Sequence, residues 1–285
     1  MARLGRSFPQ QALLLPKSKG KFVCDAADFD DVTYLTRGAL TGVSASKLFT
    51  FSAWFKLNDQ YGGTVIQAGD SAGDFRFGIT IGGTPALITI AARNAAGVTK
   101  LLTEATVSPL HNNGWHHLLF SVDMADTGKR GMYLDGVDAA PTWYTYVDDS
   151  LGFATPTAWY VGAGFLSPDP VNTVKGCLAE LYLNVGEFAD PTSAVVRERF
   201  RLSGVGQPAD MGVDAFAPTG TAAIVYLHLA DGEAAANFAT NRGTGGNFTE
   251  TGGTLTTCAS SPTDAADASV SLTPTAGTLS LTGTS

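Results

Sequence analysis

An all-β antiparallel sandwich is the fold this chain predicts, and three observations carry the prediction. Of 285 residues, 44% are hydrophobic, only 15% are charged and 33 are glycine. Few charges and many glycine-bounded apolar runs suit short, two-faced strands. Apolar residues alternate through Trp115–Val122, placing Leu118, Phe120 and Val122 on one face and His117, Leu119 and Ser121 on the other. The loop Asp123–Lys129 supplies turn residues, and Met132 and Leu134 resume the alternation. Asp135-Gly136 then reads as a two-residue hairpin turn, because glycine accepts the positive φ such turns need. Trp115, Phe120 and Leu134 are the expected core of this hairpin.

Residues 1–21 read as a basic arm. Arg3, Arg6, Lys17, Lys19 and Lys21 precede the first acid, Asp25, although the whole chain carries a net charge of −8. Such an arm is expected to dock on an acidic surface of a neighbouring subunit, with a solvated terminus as the competing reading. An acidic body repels phosphates, so nucleic acid is not an expected partner. No apolar run approaches the ~18–20 residues of a membrane span. The first residues lack the small-residue cleavage pattern of a signal peptide, which predicts synthesis in the cytoplasm.

The sandwich itself is expected over 22–252. Its strands are read at Val32–Thr36, Thr50–Leu57, Thr64–Ala68, Arg76–Ile81, Ala86–Ala91 and Thr99–Ala105, then at Trp115–Val122, Met132–Leu134, Thr142–Val147, Ala158–Ala163, Leu178–Asn184 and Ala223–Leu229. No helical stretch intervenes between these, so hairpins and meanders connect them rather than βαβ units. One helix is expected, capped by Asp190, with Pro191 in its first turn, Val195, Val196 and Phe200 as its apolar stripe, and Gly204 ending it. Arg197, Glu198, Arg199 and Arg201 read as its solvated face. The tail 253–285 is rich in Ser and Thr, yet Val270–Leu272 and Leu279–Leu281 alternate around Pro274–Gly277, as a small hairpin would.

Catalytic patterns are missing. A retaining glycosidase needs carboxylates projecting into one cleft about 5 Å apart, which alternate residues of one strand provide. Here Glu180 and Glu187 flank an apolar strand, and the adjacent Asp148 and Asp149 point opposite ways. His116 and His117 are consecutive on a strand and cannot easily share an ion, and His111 brings no carboxylate with it. They are expected to be partly exposed strand residues, with no metal bound. Asp123 and Asp126 lie in a loop that would suit Ca2+, but two loop aspartates are commoner as turn formers. Cys24, Cys177 and Cys258 are widely spaced and odd in number, which predicts reduced, buried thiols rather than a disulfide framework. The best binding candidate is Trp143, Tyr144 and Tyr146 with Asp148 and Asp149. Aromatic faces stack on sugar rings and carboxylates accept hydroxyl hydrogen bonds. A two-sided strand, with Trp143 and Val147 on one face and Tyr144 and Tyr146 on the other, explains the same residues.

The stretches "GWHHLLFSVD" and "MYLDGV" resemble the central hairpin of concanavalin A-like, laminin G-like jelly-roll domains. "FTFSAWFKL" at Phe49–Leu57 is similar to the family's first core strand, and "WYVGAGF" at Trp159–Phe165 and "GCLAELYLN" at Gly176–Asn184 to its late strand pair. Gly212–Gly252, through Pro218-Thr219-Gly220, Ile224–Leu229, Asn237-Phe238 and Thr240-Asn241, resembles the closing segment of laminin G-like proteins encoded by tailed bacteriophages. That resemblance implies a non-enzymatic virion protein, foremost a capsid-surface decoration or else a head or tail fibre module. It would contact capsid or tail subunits and form a closed homo-oligomer such as a trimer. A lectin-like module recognising host-surface glycans is the alternative.

Overall fold

Strands such as Leu48–Leu57 and His116–Asp123 are buried on both faces while others, such as Ala86–Arg93, alternate, and the architecture follows from where each face finds cover. The computed structural model describes residues 22–59, 62–69, 74–107, 110, 114–166, 169–264, 271–275 and 278–282. The basic arm residues Arg3, Arg6, Lys17, Lys19 and Lys21 lie outside these, as does His111.

In chain order the strands of the sandwich are β1 Ala27–Asp30, β2 Tyr34–Arg37, β3 Leu48–Leu57, β4 Gly63–Gly69, β5 Phe75–Gly82, β6 Ala86–Arg93, β7 Thr99–Val107 and β8 His116–Asp123. They continue as β9 Arg130–Leu134, β10 Val137–Asp138, β11 Thr142–Tyr146, β12 Ala158–Val161, β13 Lys175–Val185, β14 Val225–Leu227, β15 Thr249–Thr251 and β16 Thr256–Thr257. One eight-stranded sheet runs β10-β9-β8-β3-β13-β1-β16, with β14 also paired to β13. The other runs β11-β7-β6-β5-β4-β12-β2-β15. The pairings within both are antiparallel. Each strand expected from the sequence is present, with ends shifted by a few residues.

The two sheets enclose the main core. From β3 it takes Phe49, Phe51, Ala53, Phe55 and Leu57, and from β8 Leu118, Phe120 and Val122. The Phe49 ring meets Phe77, Phe120 and Phe153 at centroid distances of 5.5, 5.5 and 5.3 Å, in the tilted and edge-to-face orientations that aromatic quadrupoles favour. Trp115 and Leu134 are only half-buried. Leu134 packs at the margin of this core, whereas Trp115 joins a separate cluster with Trp54, Ala26 and Ala179.

The outward face of the first sheet is buried as well. Residues 186–223 fold back over it, so that Leu119, Tyr182 and, from β14, Tyr226 pack with Ala189, Phe200, Met211, Ala215 and Ala223. Polar residues on this face are consequently paired inside the protein. Thr50 Oγ1 and Ser121 Oγ lie 2.8 Å apart, and both accept from the Ala189 amide. Asn184 donates to Thr219 and Thr221 at 3.1 and 3.0 Å. Asn241 accepts from the Tyr226 amide at 2.7 Å and donates to the Ile224 carbonyl at 2.9 Å.

The helix is shorter than expected. Only Ala194–Arg197 (α1) is α-helical, and Ser193, not Asp190, occupies its N-cap position. Asp190 instead closes its own turn, accepting from the Thr192 amide and hydroxyl. Val195 is exposed while Phe200 is buried beyond the helix end. The presumed solvated face is engaged: Arg199 donates to the Pro218 carbonyl, and Arg197 to the carbonyls of Pro191 and Thr192.

The body extends past 252. β16 pairs with β1, and Thr263 Oγ1 donates to the Cys24 carbonyl at 3.0 Å. Ser271–Thr275 and Thr278–Thr282 form the expected hairpin, which pairs with neither large sheet. The expectation of three thiols is overturned. Cys177 at the start of β13 is bonded to Cys258, with Cα atoms 6.0 Å apart and 81 positions between them in sequence, while Cys24 stays free and buried. That separation in sequence left no spacing pattern to read. Closing so long a loop restricts the unfolded chain, so Cys258→Ser should lower stability by about 2–4 kcal/mol in urea unfolding. Native alkylation should label no cysteine and denatured alkylation Cys24 alone; labelling of all three would contradict the bond.

Candidate functional site

The strand carrying the aromatic candidates does not keep its alternation. The register of β11 against β7 shifts between Trp143 and Thr145. This bulge places an extra residue, Tyr144, out of step. Trp143 and Tyr146 therefore both pack against the main core, whereas Tyr144 is 60% exposed. The reading that put Tyr144 and Tyr146 on one face is corrected accordingly.

Between Trp143 and Tyr146 lies a residue the sequence reading passed over. The Arg130 guanidinium sits 4.5 Å from one ring centroid and 4.6 Å from the other, a double cation–π contact. Phe120 approaches Trp143 from the core at 5.9 Å. Trp143 thus offers an edge rather than a face. Tyr146 donates its hydroxyl to the Asp123 carbonyl at 2.7 Å, and burial pushes its ionisation well up. The carboxylates turn elsewhere: Asp148 pairs with Lys47 at 2.6 Å, and Asp149 with Lys100 at 3.0 Å and with Asn94 at 2.9 Å. The five predicted residues do not converge on one point.

Asp123 and Asp126 accept from the amides of Ala125 and Gly128, as turn-forming aspartates do, and Lys129 lies 3.6 and 3.8 Å from them. Glu180 is buried at a bulge in β13 with a φ of 50°, where Tyr226 donates to it at 2.7 Å and His228 Nδ1 contacts its other oxygen. Sealed in this way, it has no access to a cleft.

Two concavities lie side by side towards the edge of the first sheet, where β9 meets the segment around α1. Gly131 makes the approach close, since a Cβ there would come within 2.8 Å of Pro191. The first is a groove of about 160 Å³ lined by Thr127, Arg130, Tyr133, Asp138, Trp143 and Thr192 among others. The second is a more enclosed cavity of about 210 Å³ floored by His117 and Leu119 and walled by Tyr133, Asp135, Gly136, Arg197, Glu198 and Arg201 among others. Tyr133 belongs to both, with the Arg197 guanidinium 4.6 Å above its ring.

Strand geometry explains the histidines here. His117, expected to be partly exposed, is 2% exposed because its face of β8 lies under the covering segment. Its Nε2 pairs with Ser52 Oγ at 2.8 Å. His116, on the opposite face, meets Phe55 and binds Asp135 Oδ2 through Nδ1 at 2.7 Å. Asp135 also accepts from the His117 amide at 2.8 Å. Burial pushes the Asp135 carboxyl up, yet these hydrogen bonds and the charge of Arg201 outweigh it, and the group is held below the usual range. Asp135 and Gly136 form the predicted turn, at φ 53° and 82°.

Two antiparallel sheets packed face to face in this strand order form a jelly-roll sandwich. The chain belongs to the concanavalin A-like lectin/glucanases superfamily, whose laminin G-type model matches residues 30–184. No curated protein sequence matches it. Among solved structures it is similar to a presumed carbohydrate-binding protein of Bacteroides ovatus ATCC 8483, with 17% identity, a TM-score of 0.53, and coverage of 84% of this chain and 61% of that one. It is also similar to the heptameric SAP-like pentraxin of Limulus polyphemus, with 11% identity, a TM-score of 0.52, and coverage of 83% and 96%. At these identities the likeness is one of fold.

Burial, reinforced by Arg201, pushes the His117 imidazole down to about 3. The unfolded chain takes up this proton near pH 6.5, so the neutral, buried ring favours folding above that pH. The contribution is lost as pH falls from 6.5 towards 3, by up to about 1.4 kcal/mol per pH unit. Urea midpoints should drop between pH 7 and pH 5, with a shallower drop in His117→Gln; identical slopes in the two proteins would contradict the assignment.

Proposed function

We propose that this chain is a non-enzymatic carbohydrate-binding module whose ligand lies along the two adjoining concavities beside β9. The observation that carries the reading is Tyr133. It contributes to both hollows and ties an aromatic, hydroxyl-bearing side chain to the polar groups Arg130, Asp138, Thr192 and Arg197 on either side. An aromatic body with a few convergent polar groups is what sugar rings require. The carboxylates of the cavity, Asp135 and Glu198, are already held by protein donors, which suits binding better than proton transfer. The lectins of the superfamily and the description of the Bacteroides protein agree with it. So does the Cys177–Cys258 bond, since disulfides persist outside reducing compartments.

A place on a bacteriophage particle, as capsid-surface decoration or as a head or tail fibre module, is a compatible reading. It rests on the resemblance of Gly212–Gly252 to phage-encoded closing segments. The arm, contacts with capsid or tail subunits, and assembly into a trimer or other closed oligomer belong to that reading. So does synthesis in the host cytoplasm. Mass spectrometry of purified particles tests it, and absence of the chain from them would overturn it.

Glycan-array binding followed by titration calorimetry tests the module. Tyr133→Ala should weaken binding tenfold or more, about 1.4 kcal/mol, while Tyr144→Ala, exposed and outside both hollows, should leave it unchanged. A flat array, or equal loss in both variants, would overturn the reading.

A further inference from the structure

The cavity between β8, β9 and α1 has unequal hydrogen-bonding demands. It contains two acids and two arginines. The acids are supplied from within the protein: Asp135 by His116 and the His117 amide, and Glu198 by the Ser203 amide at 3.1 and 3.2 Å and by the Ser203 hydroxyl. The arginines are not supplied to the same degree. Arg197 uses Nη1 on the carbonyls of Pro191 and Thr192 and lays its guanidinium over Tyr133. Arg201 makes no close ion pair among the described residues, although its charge acts on Asp135, and its Nε is buried with no hydrogen-bond partner. Its terminal nitrogens lie against Gly136 and Gly206, where an added Cβ would come within 3.3 and 3.2 Å of them. Small residues thus hold the guanidinium in a narrow slot.

The Arg201 Nε is closed off from the cavity, but the terminal nitrogens are not, and they make no hydrogen bond among the described residues. A planar carboxylate is the acceptor that fits such paired donors. The rest of the cavity offers the apolar Leu119, the Tyr133 ring and the Ser203 hydroxyl. Its size suits one monosaccharide ring rather than a chain of them. Resting on the carbohydrate-binding reading above, we infer that this cavity takes the carboxylate of an acidic sugar, held by Arg201 with Arg197. The preference is then set by charge, while the adjoining groove along Trp143 and Arg130 takes the next ring.

Titration calorimetry on the full chain with glucuronic acid and N-acetylneuraminic acid, their methyl esters, and glucose tests this. One of the acids should bind and thereby name the source of the carboxylate. Its ester should bind at least tenfold more weakly, a comparison that needs no variant. Arg201→Gln and, separately, Arg197→Gln should each reduce acid binding tenfold or more, with thermal unfolding of each variant checked alongside. Equal binding of acid and ester, or full binding by both variants, would overturn the inference. Binding of neutral sugars with no gain from the carboxylate would overturn it and leave the carbohydrate module standing. Binding of no sugar at all would overturn both.

Discussion

The rest of the structure depends on one constraint: the sheet containing β3, β8 and β13 is buried on both faces. Ordinary sandwich strands send alternate residues to water. Here the second sheet covers one side and residues 186–223 the other, so that Thr50, Ser52, His117, Ser121, Glu180 and Asn184 are all buried. Buried polar groups need partners; the covering segment supplies the Ala189 amide, Thr219 and Thr221, and β14 with the residue after it supplies Tyr226 and His228. Polar pairing therefore sets the register of the cover on the sheet, and packing of Phe200, Met211 and Tyr226 stabilises it.

The candidate site follows from how that cover ends. Around Ala189 and Phe200 the segment lies directly on β8 and β13. Towards β9 it rests on Pro191 against Gly131 and on Arg197 against Tyr133, leaving the hollow floored by His117 and Leu119. The same covering that holds His117 neutral brings Arg201 close to it. A binding surface built on this junction sits on paired strands and a packed cover, a setting that keeps its donors in place.

The period-two alternation made the strands and the inner core face of β8 legible in the sequence, and glycine at Gly136 made the hairpin turn legible. The burial of the other face of β8 was not, because its cover comes from residues far downstream. What escaped had physical causes. The extra residue at Tyr144 reverses which aromatics share a face, and no residue type announces a bulge. Cys177 and Cys258 are brought together only by the pairing of β16 with β1. Arg197 and Arg201 looked like a solvated helical face because a helical reading cannot see that α1 ends after one turn and that Arg201 begins a short strand. Arg130 gave no signal at all, since its partners lie across the sandwich edge. The residues behind the phage-type resemblance have structural work in the fold: Asn241 fastens the cover, Thr219 receives Asn184, and Phe238 fills the core beside Phe29.

The central claim is that ligand recognition occurs where the covering segment meets β9. Backbone amide shifts of the isotope-labelled chain, followed during titration with an oligosaccharide that it binds, test this most directly. The account predicts perturbations concentrated at Tyr133, Gly136 and residues 192–203, with Tyr144 and Asp148 unmoved. Shifts centred instead on Tyr144–Asp149 or on the opposite sheet would contradict it.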